Sequence, residues 1–265
     1  MKTTLYVYSA TGNSLVIARA IAKELGDTEI LPIGRFRITP ARPNTERVGI
    51  IFPIFAWGPP RTVHEFIRGI DLRGARYTFA IASCGGTAAG TLLRMRKELR
   101  RNGGDLHAGF IVRSAAYMEM GSGKQAQMIE MVRRFSGKLP GTEAERLPDI
   151  IETVRNTRRS RPERSALLGS ILGNFFHGKA SSQFAGLDRV YQASENCASC
   201  GTCSRICPRG NVRLENGRPA WHHDCDFCGA CVTWCPQHAI GFAGASGGAP
   251  RRHHPEISVS DLIVA

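Results

Sequence analysis

The feature that most constrains this chain is a doubled cysteine pattern. Cys197, Cys200, Cys203 and Cys207 stand in the spacing C-x2-C-x2-C-x3-C, with Pro208 directly after the last. Cys225, Cys228, Cys231 and Cys235, followed by Pro236, repeat the pattern 28 residues later, and Gly201 and Gly229 match as well. Three cysteines at such short spacing wrap one face of a cubane. The longer last gap carries the fourth cysteine onward to a neighbouring centre, and the proline ends the wrapping loop. This is the spacing of two four-iron centres that exchange their fourth thiolate. It assigns Cys197, Cys200, Cys203 and Cys235 to one [4Fe–4S] cluster, and Cys225, Cys228, Cys231 and Cys207 to the other. Zinc is the rival reading. A four-sulfur zinc site needs two pairs of cysteines, and two triplets each followed by Cys-Pro do not supply that.

Eight of the nine cysteines lie in this block, and so dense a group in a reducing compartment argues for metal rather than disulfides. The first residues lack the succession of a secretory signal, so a cytoplasmic protein is expected. No run of eighteen apolar residues occurs, so no membrane span is expected. Hydrophobic residues at 42% and charged residues at 22% fit a globular chain, and 265 residues suffice for one good core and a smaller module. The formal net charge of +13 raises nucleic acid as a partner. Two oxidised clusters with their thiolates would bring it to roughly +9, and a bound phosphate monoester to roughly +7. There is also no recognition-helix or RNA-binding signature, so nucleic acid is not expected. Much of the excess sits in two stretches: Arg94, Arg96, Lys97, Arg100 and Arg101, then Arg155, Arg158, Arg159, Arg161 and Arg164.

Ahead of the cysteines, strand and helix patterns alternate. Strands are predicted over residues 3–8, 29–33, 48–54, 77–83 and 106–113, and the third reads as a continuous apolar run, as in a strand buried on both faces. Helices are predicted over residues 13–25, 61–70, 88–101 and 124–138. Such alternation argues for an α/β doubly wound parallel sheet, with ligands beyond the C-terminal strand ends. Glycine-rich segments stand at those ends, after strands one, three and four. From 141 to 188 the pattern weakens, with helices over 150–159 and 166–176, and this stretch is expected either to bridge to the cysteine module or to pack as an arm on the first domain.

Ser9, Ala10, Thr11, Gly12, Asn13 and Ser14 lie between the first strand and the first helix. Three hydroxyls and an amide in six residues exceed what a plain N-cap requires. Free backbone N–H groups and a helix N-terminus favour an anion. No lysine follows, as one would in a P-loop, and no G-x-G-x-x-G occurs. The pattern therefore suits a monoester phosphate held by neutral donors.

The segment resembles the flavodoxin phosphate loop, (S/T)-x-T-G-N-(S/T). That resemblance implies strand order 2-1-3-4-5 and FMN held by Ser9, Thr11, Gly12, Asn13 and Ser14. It also implies a ring site built from Pro53, Ile54, Phe55, Ala56, Trp57 and Gly58 and from Ser83, Cys84, Gly85 and Gly86, with Trp57 stacked on the flavin. Flavodoxins usually carry a tyrosine in the later loop, and this chain has none there. Cys84 is better read as a small packing residue. Taken whole, the chain resembles the flavodoxin–ferredoxin fusion proteins (EFR-type ferrodoxins). Phe52-Pro53-Ile54 with Trp57-Gly58, Ala220-Trp221, Trp234-Cys235-Pro236, Ala239-Ile240, and the tail from Arg252 to Ile257 carry that likeness.

The expected domains are a flavodoxin-like unit over 1–140, bridging helices over 141–188, a small α+β two-cluster ferredoxin unit over 189–243, and a tail over 244–265. Within the third, Glu215-Asn216-Gly217 reads as a hairpin turn, and Trp221 and Trp234 as core aromatics near the clusters. His222, His223, His253 and His254 are read as surface or supporting residues, because cysteine already supplies every cluster ligand. Residues 244–250 read as a flexible link, after which the end of the chain packs back. The expected function is electron transfer between two clusters, FMN and a redox partner. An acidic ferredoxin or an oxidoreductase would meet the basic stretches. The alternative is a flavin-dependent reductase of a small acceptor such as a quinone or nitro compound, fed by the clusters.

Overall fold

The structure, a computed structural model, describes residues 1–114, 141–165, 186–242 and 251–263. The first unit is a five-stranded sheet: β1 (Thr3–Val7), β2 (Thr28–Pro32), β3 (Arg47–Pro53), β4 (Tyr77–Cys84) and β5 (Ala108–Arg113). Its order is β2-β1-β3-β4-β5, every pairing is parallel, and this is the flavodoxin-like order. Every residue of β1 and β4 is buried, as covering both faces demands. Gly49 lies between Leu5 and Phe79 in the register, where an added Cβ would come within 2.6 Å of the Leu5 side chain and 2.5 Å of the Phe79 ring. Glycine is thus what lets two large neighbours meet over the central strand.

Helices α1 (Asn13–Leu25), α2 (Arg61–Gly69), α3 (Thr91–Arg101) and α4 (Glu143–Arg155) cover the sheet. One strand and two helices depart clearly from the sequence expectation. β2 ends a residue early, and Ile33–Phe36 forms a 3-10 turn. α3 begins at Thr91 rather than Ala88, because Ala89 takes the left-handed conformation at φ 47° before Gly90. α4 begins well before residue 150: Thr142 and Glu145 form a reciprocal capping box, and the helix continues through Pro148, which reads in sequence as a breaker. The helices predicted over 124–138 and 166–176 lie outside the described residues.

Over its first part the stretch between the two units takes the form of an arm on the first domain. Residues 141–165 pack on the first unit. Ile150 and Val154 enter its core. The Ser160 and Glu163 amides donate to the carbonyls of His107 and Gly109, covering the open edge of β5.

The second unit holds two two-stranded sheets, β6 (Tyr191–Ala193) with β9 (Ile240–Phe242), and β7 (Val212–Glu215) with β8 (Arg218–Trp221). The β7–β8 turn is Asn216-Gly217, at φ 49° and 77°, as a two-residue primed turn requires. Short helices α5 (Thr202–Arg205) and α6 (Ala230–Thr233) follow Gly201 and Gly229, both at φ 71°. The 28-residue repeat is written into the backbone: Ser199 and Phe227 lie at φ 55° and 54°, Gly210 and His238 at 62° and 51°.

Candidate functional site

The repeat's shape explains where its thiols stand. Each left-handed glycine turns the chain into a short helix, and the cysteines before and on that helix line one cavity. Cys197, Cys200, Cys203 and Cys235 line one cavity, and Cys207, Cys225, Cys228 and Cys231 line another. The two quartets are the ones the spacing assigns. Cys207 and Cys235 hold equivalent places, each sulfur accepting an N–H four residues on at 3.3 Å, from Asn211 and Ala239. Among the described residues no three His, Cys, Asp or Glu side chains close on a single ion position. The thiols instead stand as two quartets, each around its own cavity.

The donor set fits iron–sulfur clusters. Tyr191 Oη is buried without a hydrogen-bond partner and Trp221 Nε1 faces the Cys231 thiol, and both residues line the second cavity. An orphaned donor such as the Tyr191 hydroxyl is costly unless an acceptor occupies the space. Burial pushes the Cys228 thiol up to about 12 and the Cys203 thiol to about 11, and raises Cys225 and Cys231 further. The exposed Cys200 is lowered by its hydrogen bond with Thr202. A bound iron centre would deprotonate all of these outright.

A buried polar seam joins this unit to the first. Asp226, 2% exposed, accepts from Tyr8 Oη at 2.9 Å, Thr62 Oγ1 at 2.6 Å and the Thr62 amide at 3.3 Å. Burial, with Asp226 beside it, pushes the Tyr8 phenol well above its usual value. Arg209 bridges Glu65 and Asp224, each at 2.6 Å, and Asp224 is also held by Arg37 at 2.7 Å and by Arg61. Cys228 packs against the first unit's core, as do Ile206, Ala230 and Trp234. The second cavity therefore stands against the C-terminal end of β1, while Cys200 faces solvent at the first.

Three loops converge at that same sheet edge. Ser9 to Ser14 follow β1, with Gly12 at φ 102°, a backbone that strains any side chain. Ser9 Oγ is buried without a partner, and Ser14 Oγ lies 3.3 Å from Ser83 Oγ of the β4 loop. A phosphate suits this cradle: an orphaned hydroxyl beside a helix N-terminus. After β3, Phe55 and Gly58 exchange two backbone bonds, which forces Ala56 and Trp57 to φ 42° and 67°. Two adjacent non-glycine residues in the left-handed region mark a constrained loop, of the kind found at ligand sites. The Trp57 carbonyl accepts from Thr91 and Arg94, which ties this loop to α3. The Ile54 amide donates to the Ser83 carbonyl, joining the second loop to the third. Cys84 is buried, its thiol donating to Gly86 and raised by burial to about 12, so its side chain is a packing group.

The histidines fall into place by contact. His223 donates its amide to the buried Asp188 carboxylate, and its ring nitrogen lies 2.8 Å from it; His222 pairs with Glu215. His253 stacks on Trp234 at 4.2 Å. Trp234 itself lies at the junction of the two units, where its indole N–H donates to the Ala10 carbonyl at 2.8 Å. The Tyr8, Thr62, Asp226 and Arg209 seam has no local sequence signal, because it joins residues up to 218 positions apart. Much of the basic excess is spent inside the chain. Arg96 and Arg100 share Asp105, Arg101 pairs with Glu98, Arg155 with Glu24 and Arg158 with Glu152. Among the described residues no helix is long and apolar enough to cross a membrane.

Residues 188–240 match the family model described as a 4Fe-4S dicluster domain. Among curated proteins none matches the chain. Solved structures align with 58–60% of it at low likeness. The flavodoxin of Fusobacterium nucleatum bound to flavin mononucleotide is 13% identical, covered completely, with a TM-score of 0.38. A flavodoxin from the domain Archaea is 14% identical, 99% covered, TM-score 0.36. The rubredoxin oxygen:oxidoreductase of Desulfovibrio gigas is 13% identical, 35% covered, TM-score 0.38. At these scores the fold rests on the chain's own strand order. The chain has a 4Fe-4S dicluster domain at its C-terminal end and a flavodoxin-like sheet at its N-terminal end, the make-up of a flavodoxin–ferredoxin fusion.

Proposed function

We propose that this chain is an electron-transfer iron–sulfur flavoprotein, which passes electrons between two [4Fe–4S] clusters and FMN and on to a redox partner. The observation that carries this reading is the placement of the second thiol quartet against the end of β1, where the phosphate loop begins. Cys197, Cys200, Cys203 and Cys235 would hold one cluster, and Cys225, Cys228, Cys231 and Cys207 the other. Ser9, Thr11, Gly12, Asn13 and Ser14 would hold the FMN phosphate, with the loops at 53–58 and 83–86 against the ring and Trp57 stacked on it. When bound, the clusters carry single electrons and the flavin exchanges one or two.

The protein's own work is positional. The Asp226 and Arg209 seam fixes the second quartet against the sheet. Tyr191, Phe227, Trp221 and Phe242 pack an aromatic wall beside it, which keeps water away and tunes a bound centre. The open side is the first cavity, where Cys200 is exposed and Leu214, 40% exposed, is part of the lining. Arg205, Arg213 and Arg218 lie nearby in sequence, so an acidic redox protein is the partner proposed here.

The test is anaerobic stopped-flow of the loaded protein with a reduced one-electron carrier. Cluster bleaching followed by flavin bleaching in the same molecules supports the reading; a flavin that stays oxidised beside reduced clusters contradicts it. Reduction by an acidic carrier should slow as salt rises, and a rate independent of salt would remove the docking part.

A further inference from the structure

The phosphate loop is held from outside its own domain. The Trp234 indole N–H donates to the Ala10 carbonyl, and the His254 amide donates to the Thr11 carbonyl, both at 2.8 Å. In a trans peptide, the carbonyl of one residue and the N–H of the next point in opposite directions. Pinning the Ala10 carbonyl toward Trp234 therefore turns the Thr11 N–H away from it, and pinning the Thr11 carbonyl toward His254 does the same for the Gly12 N–H. Among the described residues neither of these N–H groups has a partner. Both stand in the segment where Ser9 Oγ is also buried and unpartnered.

His254 belongs to a strap, residues 251–263, that crosses from the iron–sulfur domain to the sheet. Arg251 anchors it by donating to the carbonyls of Val232, His238 and Ile240. His253 stacks on Trp234. A Cβ on Gly12 would fall 2.9 Å from His254 Cβ and 3.0 Å from Ile257 Cβ, so the strap lies directly on the loop. Ile257 and Leu262 then enter the first domain's core, and Asp261 pairs with Arg19 at 2.5 Å.

We infer that Trp234 and the 251–263 strap are positioning elements of the flavin-phosphate site, aiming the Thr11 and Gly12 N–H groups at the phosphate. This rests on the FMN reading above. It has a consequence for regulation: phosphate recognition requires the iron–sulfur domain to be folded and docked, and by linkage a bound flavin phosphate strengthens that docking.

The experiment compares FMN with riboflavin, which lacks the phosphate, in fluorescence titrations of the cluster-loaded full chain. The variants are Trp234→Phe, which keeps the ring but removes the donor, and a chain ending at Arg252, each checked for iron content equal to the parent. Losing correctly aimed N–H groups should weaken FMN about tenfold in Trp234→Phe while riboflavin changes little, since bonds to a charged group are the stronger class. The truncation should lose more, in the same direction. An unchanged FMN-to-riboflavin ratio in both variants overturns the inference, whether both flavins bind as before or both weaken equally. If Trp234→Phe does not accumulate as folded protein, the truncation alone decides. A parent protein that binds neither flavin would instead bring down the FMN reading itself.

Discussion

The flavodoxin-like domain buries Ile50, Ile81 and Phe79 of its sheet and Ile17 of α1 completely. The iron–sulfur domain packs Tyr191, Val212, Val232 and Ile240 around two spaces rimmed by thiols, and three of its buried core members are themselves cysteines. One domain closes on its own side chains; the other closes on what its cysteines hold. Small domains with little apolar surface commonly need a metal for this reason. The asymmetry also explains the seam and the strap: the domain with the thinner core is tied to the thicker one by Asp226, Arg209, Trp234 and the 251–263 strap.

The most severe way to break this comparison is to remove the metal. In chelator-treated protein, backbone amides over 186–242 should lose protection from hydrogen exchange while those of β1, β3 and β4 keep it. Equal protection in both regions would show that the second core stands without clusters. Less drastic is the removal of single ligands. Cys200→Ala and Cys228→Ala should each lower iron toward half, about four per chain, and the Cys228 variant should also disturb the domain junction, since that side chain packs on the sheet. Identical consequences for the two would deny the difference between an outward and an inward cluster.

Smaller effects sharpen the same contrast. Asp226→Ala removes the buried acceptor of the Tyr8 hydroxyl, the Thr62 hydroxyl and the Thr62 amide, and should lower stability in denaturant titration by about 3 kcal/mol. Asp226→Asn, which retains an acceptor, should cost less. Gly49→Ala overpacks the central strand against Leu5 and Phe79 and should cost about 2 kcal/mol, with iron content unaffected. A loss of iron in that variant would mean that the two cores are not separable in the way described.

What could be read from sequence follows the range of the interactions. The strands and α1 were legible because alternation, apolar runs and the Gly26 stop are local. The thiol quartets were legible because a repeat in register carries its own geometry. α4 was not, since Pro148 argues against the helix that the Thr142–Glu145 box in fact starts. That residues 141–165 pack as an arm is one of two readings the sequence allows; the edge of β5 as its docking place has no sequence signal, because those contacts are made by backbone amides, which any sequence supplies. The strain at Ala56 and Trp57 was invisible because neither residue favours the left-handed region. The seam and the Trp234–Ala10 bond join opposite ends of the chain and leave no periodic trace. The basic stretches misled in part, because their partners Asp105, Glu98, Glu24 and Glu152 are identified only once the fold brings them alongside.

The most direct test of the account is composition. The chain would be purified anaerobically after cluster reconstitution, and iron, acid-labile sulfide and released flavin would be measured per chain. The account predicts about eight iron, about eight sulfide and about one FMN. Eight iron with no flavin, even after FMN is supplied, would leave the cluster domain standing and contradict the electron-transfer account built on both.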